Sequence, residues 1–268
     1  MKNCLALATC FYPESSPEIW KTAAAAGFTD AEIDTNNNLT TAEILANSQK
    51  IYDDLKAGGL APTSLHLPFG NQWDISSADD AVRAYALTEM NKFIAWAGEH
   101  QIPYVILHPS YEPIADTDRP TRMKNAVASI ARMGAVAKEC GVIVAVENLP
   151  RTCLGNCADD MIELLGENEA VGICFDVNHL LKESHKDFVA KTGKYIVTTH
   201  LSDYDFVDEK HWMPGEGDID WKELKELLDG VGYEGRYLFE LGAARALPSR
   251  ERTITAKELA DRFAEVIR

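Results

Sequence analysis

Residues able to do acid–base and metal chemistry recur in this chain at one kind of place. The stretch "VGICFDVNHLL" (171–181) runs through five core-like residues and then meets Asp176 and, three positions on, His179. Desolvation penalises a carboxylate and an imidazole at the end of a buried strand unless something compensates them. Other apolar runs end in the same manner: "SLHLPF" carries His66, "VILHPS" His108, "VAVENL" Glu147, "TTHLSD" His200 and "YLFELG" Glu240. The segment "DEKHWMPGEGD" adds Glu209 and His211. Five of the seven histidines lie in these contexts, while His100 and His185 read as surface residues of helices or loops.

Taken singly, such a residue is most often a hydrogen-bonded core histidine or a helix cap. Six or more on one rim would repel or desolvate one another unless a positive charge sat among them. A divalent cation is the economical solution. Mixed Glu, Asp and His donors without a thiolate suit Mn²⁺, Mg²⁺, Co²⁺ or Zn²⁺ and argue against a structural zinc site. Glu147, Asp176, His200 and Glu240 form the expected ligand set. A metal flanked by two carboxylates can polarise a carbonyl and stabilise the enediolate left when a neighbouring proton departs. Glu147 and Glu240 would face the substrate from opposite sides as the acid/base pair.

The elements that must position these residues are regular. Eight β-type runs, "CLALATC", "AEIDT", "TSLHLPF", "YVILHPS", "VIVAVENL", "VGICFDVNH", "YIVTTHLSD" and "RYLFELG", alternate with segments of helical periodicity. One helix should start after Ser16 with Pro17 in its first turn and stop at Gly27. Others are expected over about 77–99, over "RPTRMKNAVASIARMGAVAKECG" to Gly141, and after a cap at Asp218 or Asp220. No linker or composition break interrupts the alternation. Eight strand–helix units in 268 residues predict an α/β fold, a single (β/α)8 TIM barrel spanning 1–268 as one domain. Near-continuous apolar strands fit a parallel sheet covered on both faces. A doubly wound open sheet would need a glycine-rich turn after the first strand, and "ATCFYPESS" has none. Active sites of such barrels lie at the C-terminal ends of the strands, where the polar residues above fall.

Composition narrows the partners. The formal net charge of −16 argues against nucleic acid and anionic membrane as partners. The N-terminal segment reads as a first strand rather than a signal peptide, and no apolar run is long enough to span a bilayer. The six cysteines match neither a zinc ribbon nor a disulfide framework, so free thiols in a reducing cytoplasm are expected. A homodimer is the base-rate expectation for assembly.

The pieces "SLHLPFG", "VILHPS", "VAVENLP", "GICFDVNH", "THLSD", "HWMPGEGDIDW" and "YLFEL" together resemble the xylose-isomerase-like TIM-barrel superfamily of sugar isomerases and epimerases. That group includes ketose 3-epimerases, inosose dehydratases and endonuclease-IV-type AP endonucleases. Similarity to the epimerases implies metal ligands at Glu147, Asp176, His200 and Glu240, with His179 holding a substrate oxygen. Those epimerases usually carry a glutamate six positions after the first ligand and an arginine six after the ligand histidine. Here these positions are Cys153 and Phe206, and Arg151 is the candidate replacement for the arginine. Similarity to the nucleases, which hold three zinc ions, would extend the ligand set to His66, His108, His179, Glu209 and His211. The expectation is a metal-dependent isomerase or epimerase of a small ketose or related carbohydrate. His66, His108, His179, His211 and Arg151 then bind substrate, and Glu209 is a further ligand candidate. Inosose-type dehydration and zinc-dependent phosphodiester hydrolysis are the alternatives.

Overall fold

The computed structural model describes residues 4–268, so the first three residues of the N-terminal segment lie outside it. Eight parallel strands form the frame: β1 (Leu5–Ala8), β2 (Phe28–Ile33), β3 (Ala61–His66), β4 (Tyr104–Leu107), β5 (Ile143–Glu147), β6 (Val171–Asp176), β7 (Ile196–His200) and β8 (Tyr237–Phe239). Each pairs in parallel with its sequence neighbour from β1 to β7, and β8 pairs with β1. The ring closes between β7 and β8 through Leu201, whose N–H donates to Leu238 O at 2.8 Å and whose carbonyl accepts from Glu240 N at 3.2 Å. The result is a (β/α)8 barrel.

The eight helices are α1 (Pro17–Ala25), α2 (Thr41–Gly58), α3 (Asp80–Glu99), α4 (Arg119–Cys140), α5 (Ala158–Leu165), α6 (His185–Thr192), α7 (Trp221–Gly230) and α8 (Ala256–Val266). Their starts follow local chemistry. Ser16 accepts from Ile19 N, Asp220 from Glu223 N, and Thr40 and Thr255 each form a reciprocal capping box with a glutamate three residues on. Among the described residues no helix is long and apolar enough to cross a membrane.

Alternation along the strands decides what the barrel holds. One parity (Leu7, Ala31, Ile33, Val105, Val144, Val146, Ile173, Phe175, Phe239) joins the large cluster packed beneath the helices. The other parity is small or polar, with Ala6, Ala8, Ile106, Ala145, Cys174 and Leu238 buried in the barrel interior. Stepping two residues further along that inward parity gives His108, Glu147, Asp176 and Glu240; Glu32, His66 and His200 fall on the same parity of their strands. The core therefore changes from apolar to ionisable at a single layer.

Candidate metal centre and active site

That layer brings together Glu147 from the end of β5, Asp176 from the end of β6, His200 from the end of β7 and Glu240 just after β8. One donor atom from each lies within 4.8 Å of the others. His200 Nδ1 stands 3.4 Å from Glu147 Oε1, 3.3 Å from Glu240 Oε2 and 4.0 Å from Asp176 Oδ2. Glu147, Asp176 and His200 are buried, and the Glu240 side chain is 18% exposed. Asp176 uses Oδ1 to accept from Asn178 N at 2.7 Å. Its Oδ2 and Glu240 Oε2 are buried without a hydrogen-bond donor among the described residues, while Glu147 Oε2 has the Nε2 atoms of His66 and His108 against it at 3.3 and 3.1 Å. Three buried carboxylates around one imidazole, two of them with an oxygen that has no donor, fit a divalent cation, because such oxygens are costly to bury otherwise.

Three further histidines are aimed by backbone carbonyls. His66 Nδ1–H donates to Leu67 O at 2.9 Å, His179 Nδ1–H to Asn148 O at 3.0 Å, and His211 Nδ1–H to Glu240 O at 3.0 Å. A carbonyl only accepts, so each bond keeps a proton on Nδ1 and turns Nε2 toward another partner; in His66 and His179, raised to about 9 and 10, Nε2 carries a proton as well. His66 Nε2 then points at Glu147 Oε2 (3.3 Å), and His108 Nε2 at the same oxygen (3.1 Å). His66, His108 and Glu147 form a second group of candidate donors, and His66, His200 and Glu240 a third.

The electrostatics are those of a site short of positive charge. Burial lifts the Asp176 carboxyl to about 7, with His179 opposing and the charges of Glu147 and Glu240 adding to the rise. Burial also works against Glu147, but the imidazoles of His200 and His108 hold its carboxyl well below the usual range. Desolvation disfavours a charged His66, yet Glu147 and Glu32 raise it to about 9. For His179, Asp176 and Glu147 overcome burial and raise it to about 10. His108 goes the other way, because its burial outweighs the pull of Glu147. The protein alone neutralises the carboxylates by holding extra protons.

The centre opens into a pocket of about 180 Å³. Glu147 and Glu240 reach its wall beside His66, His108, His179 and His211, whereas Asp176 and His200 lie deeper. The loop after β7 forms one side and is tied by buried Asp203. Its carboxylate accepts from the N–H of Tyr204, Gly215 and Ile219 and from Trp221 Nε1. A Cβ on Gly217 would meet Tyr204 O at 2.3 Å, so the close return of this loop requires glycine there. "HWMPGEGDIDW" is thus a folding signal for the loop that presents Glu209 and His211.

Arg151 also lines the pocket, but three carboxylates hold its guanidinium: Glu112 at 2.7 Å, Asp208 at 2.7 Å and Glu209 at 3.2 Å. Glu209 lies 3.6 Å from His179 Nε2 and joins none of the candidate donor groups among the described residues. Cys153 is in the pocket wall and 5% exposed; Phe206, 45% exposed, lies off it. All six cysteines are free thiols. His100 and His185 are corrected from surface residues to half-buried ones. His185 Nε2 bonds Val177 O at 2.7 Å, and His100 bonds Trp96 O and Gln49.

Sequence reading missed three residues here. Glu32 of β2 is fully buried, with Oε1 3.0 Å from His200 Nε2 and Oε2 accepting from Ser64 at 2.6 Å. Asp34, accepting from Thr9 Oγ1 and Cys10 N, is raised to about 6 by burial and by Glu32. Asn148 spans β5 and β6, donating to Asp176 O and accepting from Asp176 N, both at 2.8 Å. The alternation Asp30, Glu32, Asp34 was the available signal for the first two.

Comparison with known proteins follows the same lines. An uncharacterized protein of Methanocaldococcus jannaschii is 25% identical over 212 residues, covering 76% of this chain and 70% of the relative. A D-psicose 3-epimerase of Ruminiclostridium cellulolyticum is 26% identical over 219 residues, covering 74% and 72% respectively. The solved structure of a D-tagatose 3-epimerase-like protein superposes with a TM-score of 0.78 at 21% identity, covering 98% of both chains, which shows a shared fold. The family described as xylose isomerase-like TIM barrel matches residues 20–265. With nearly the whole barrel matched, the chain belongs to the xylose isomerase-like TIM-barrel family.

Proposed function

We propose that the chain is a divalent-metal-dependent sugar epimerase or isomerase that moves a proton next to the carbonyl of a small ketose or related carbohydrate. The observation that carries this reading is the convergence of Glu147, Asp176 and Glu240 on His200, with Asp176 Oδ2 and Glu240 Oε2 lacking donors among the described residues, beneath a pocket sized for one small sugar. Glu147, Asp176, His200 and Glu240 would hold the ion. When bound, it polarises the substrate's oxygens and acidifies the adjacent C–H. Two curated relatives are D-psicose 3-epimerases, which agrees with an enzyme of isomerase/epimerase type.

The chain's own residues supply the proton handling. Glu147 and Glu240 reach the pocket from β5 and from the end of β8, so a substrate between them meets a carboxylate on each face. One takes the proton and the other returns one, inverting or relocating the centre. His66, His179 and His211, with Nδ1–H committed to backbone, offer Nε2 to substrate oxygens; His108 joins them at the wall. Arg151 reads as a strap joining the loops after β4, β5 and β7 rather than as a free cation for substrate. If a hydroxyl leaves instead of a proton returning, the same residues perform an inosose-type dehydration, and product analysis separates the two.

A second reading has one observation in its favour. The His66, His108, Glu147 group could take another ion, as multi-metal phosphodiester hydrolysis requires. The chain's charge of −16 and the carboxylates of Glu112 and Glu209 in the pocket wall oppose a polyanion. The test is to load the protein with Mn²⁺, Co²⁺, Mg²⁺ or Zn²⁺, incubate it with a panel of ketoses and inososes, and resolve products by NMR. Epimer or isomer formation with about one ion per chain supports the proposal. Turnover of abasic DNA but of no sugar, with about three ions per chain, overturns it.

A further inference from the structure

The pocket at the metal centre does not end at its mouth. Phe69 and Tyr111 line it, and both also line a second space of about 520 Å³ between the loops after β2 and β3. Its other lining residues include Asn38, Asn71 and Gln72, all exposed, with Trp73 behind them. No charged residue lines this groove, although a quarter of the chain's residues are charged. The catalytic pocket alone, at about 180 Å³, is smaller than the roughly 300–1,000 Å³ typical of sites for larger organic ligands.

The groove is built rather than left over. Asn37 ties the two loops together: its Oδ1 accepts from Phe69 N at 2.9 Å, and its carbonyl accepts from Gln72 Nε2 at 3.1 Å and Trp73 Nε1 at 3.3 Å. Phe69 is fixed from the other side by stacking on His108, centroids 4.3 Å apart. Tyr111, 36% exposed, presents its ring at the junction of the two spaces. Primary amides offer two donors and an acceptor apiece, the complement of a ring bearing several hydroxyls. Aromatic faces supply the apolar surface that the C–H side of such a ring needs. Neutral amides beside aromatics suit an uncharged polyhydroxylated ligand and offer nothing to a phosphate.

We propose that this groove is a second sugar subsite and that the substrate is a ketose-containing disaccharide or glycoside. Its reacting unit occupies the pocket at the metal centre, and its second unit crosses Phe69 and Tyr111 to lie among Asn38, Asn71 and Gln72. The assignment of the inner unit rests on the proposed epimerase or isomerase reading. The outer subsite rests on the groove.

The experiment uses the full-length, metal-loaded protein with D-fructose and D-tagatose against lactulose and isomaltulose. Turnover and ligand-observed saturation-transfer NMR are both read on the wild type and on the double variant Asn71→Ala/Gln72→Ala. The expected result is saturation transfer to both rings of the disaccharides. In the variant, transfer to the outer ring is lost and the disaccharide-to-monosaccharide ratio of kcat/KM falls about tenfold. Transfer confined to the ketose ring, or a ratio unmoved by the double substitution, overturns the subsite. Absence of turnover on every sugar overturns the epimerase reading, while the NMR map still decides the groove.

Discussion

The two ends of the barrel interior each bury acidic groups, and they treat them in opposite ways. At the N-terminal end, Asp30 of β2 accepts from Arg236 Nε at 2.7 Å through Oδ1 and from Thr29 Oγ1 and Cys4 Sγ through Oδ2. Burial works against its charge, but Thr29 and Arg236 prevail and its carboxyl titrates below the usual range. At the C-terminal end, Asp176 and Glu240 each keep one buried oxygen without a donor among the described residues, Glu147 has only imidazoles against its Oε2, and Asp176 is pushed up to about 7. Both clusters sit on the same eight strands. A satisfied carboxylate stabilises the fold; three crowded around one imidazole with too few donors leave a place for a cation. That contrast marks the C-terminal end as the candidate functional end independently of any relative.

Substitutions should separate the two ends. Glu147→Gln or Glu240→Gln is expected to lower turnover by roughly 10²–10⁴-fold, the usual worth of a positioned acid or base, while the melting temperature of the metal-free protein holds or rises. Loss of stability in step with activity would erase the contrast. Glu32→Gln should weaken metal binding by about 10–100-fold in a chelator competition, because Glu32 lies against the far side of the His200 ring. An unchanged affinity would make Glu32 a bystander. At the other end, Asp30→Ala should cost about 2 kcal/mol of stability in urea unfolding and leave metal affinity as it was.

Titration sharpens the comparison further. Asp176 is raised in the fold, so its contribution to metal-free stability is full below about pH 4 and is lost as pH rises through about 7. His66 and His179 are raised to about 9 and 10, so their contribution is full below about pH 6.5 and lost as pH climbs through those values. These groups therefore make the metal-free protein progressively less stable from pH 6 to pH 10. Added Mn²⁺ should raise the melting temperature more at pH 8 than at pH 6, because fewer protons compete for the donors. A metal-induced shift that shrinks with pH would contradict this. Thermal melts at four pH values, with and without chelator, suffice.

The strand order was legible because each strand is covered on both faces and reads as a short apolar run closed by a polar residue. Those closing residues marked the rim, and the structure brings Glu147, Asp176, His200 and Glu240 within a few ångströms of one another. Glu32 escaped notice because it lies inside β2 (Phe28–Ile33) rather than at a polar strand end; Asp30, Glu32 and Asp34 alternate on the inward parity. Arg151 could not be placed from sequence, since its partners lie 39 and 57–58 positions away on other loops. His185 looked like a surface residue because its acceptor, the Val177 carbonyl, is a backbone group that no side-chain pattern reveals. Local chemistry marks where strands end. Which ends meet, and which charges remain uncompensated, depends on closure of the barrel.

Glu147 and Glu240 are proposed to exchange a proton with a carbon next to a carbonyl. The direct measurement is deuterium incorporation from D₂O into a ketose turned over by the Mn²⁺-loaded protein, read by NMR beside Glu147→Gln and Glu240→Gln. The account predicts incorporation at the carbon adjacent to the carbonyl with the wild type and its collapse in both variants. Equal incorporation in all three proteins would contradict it.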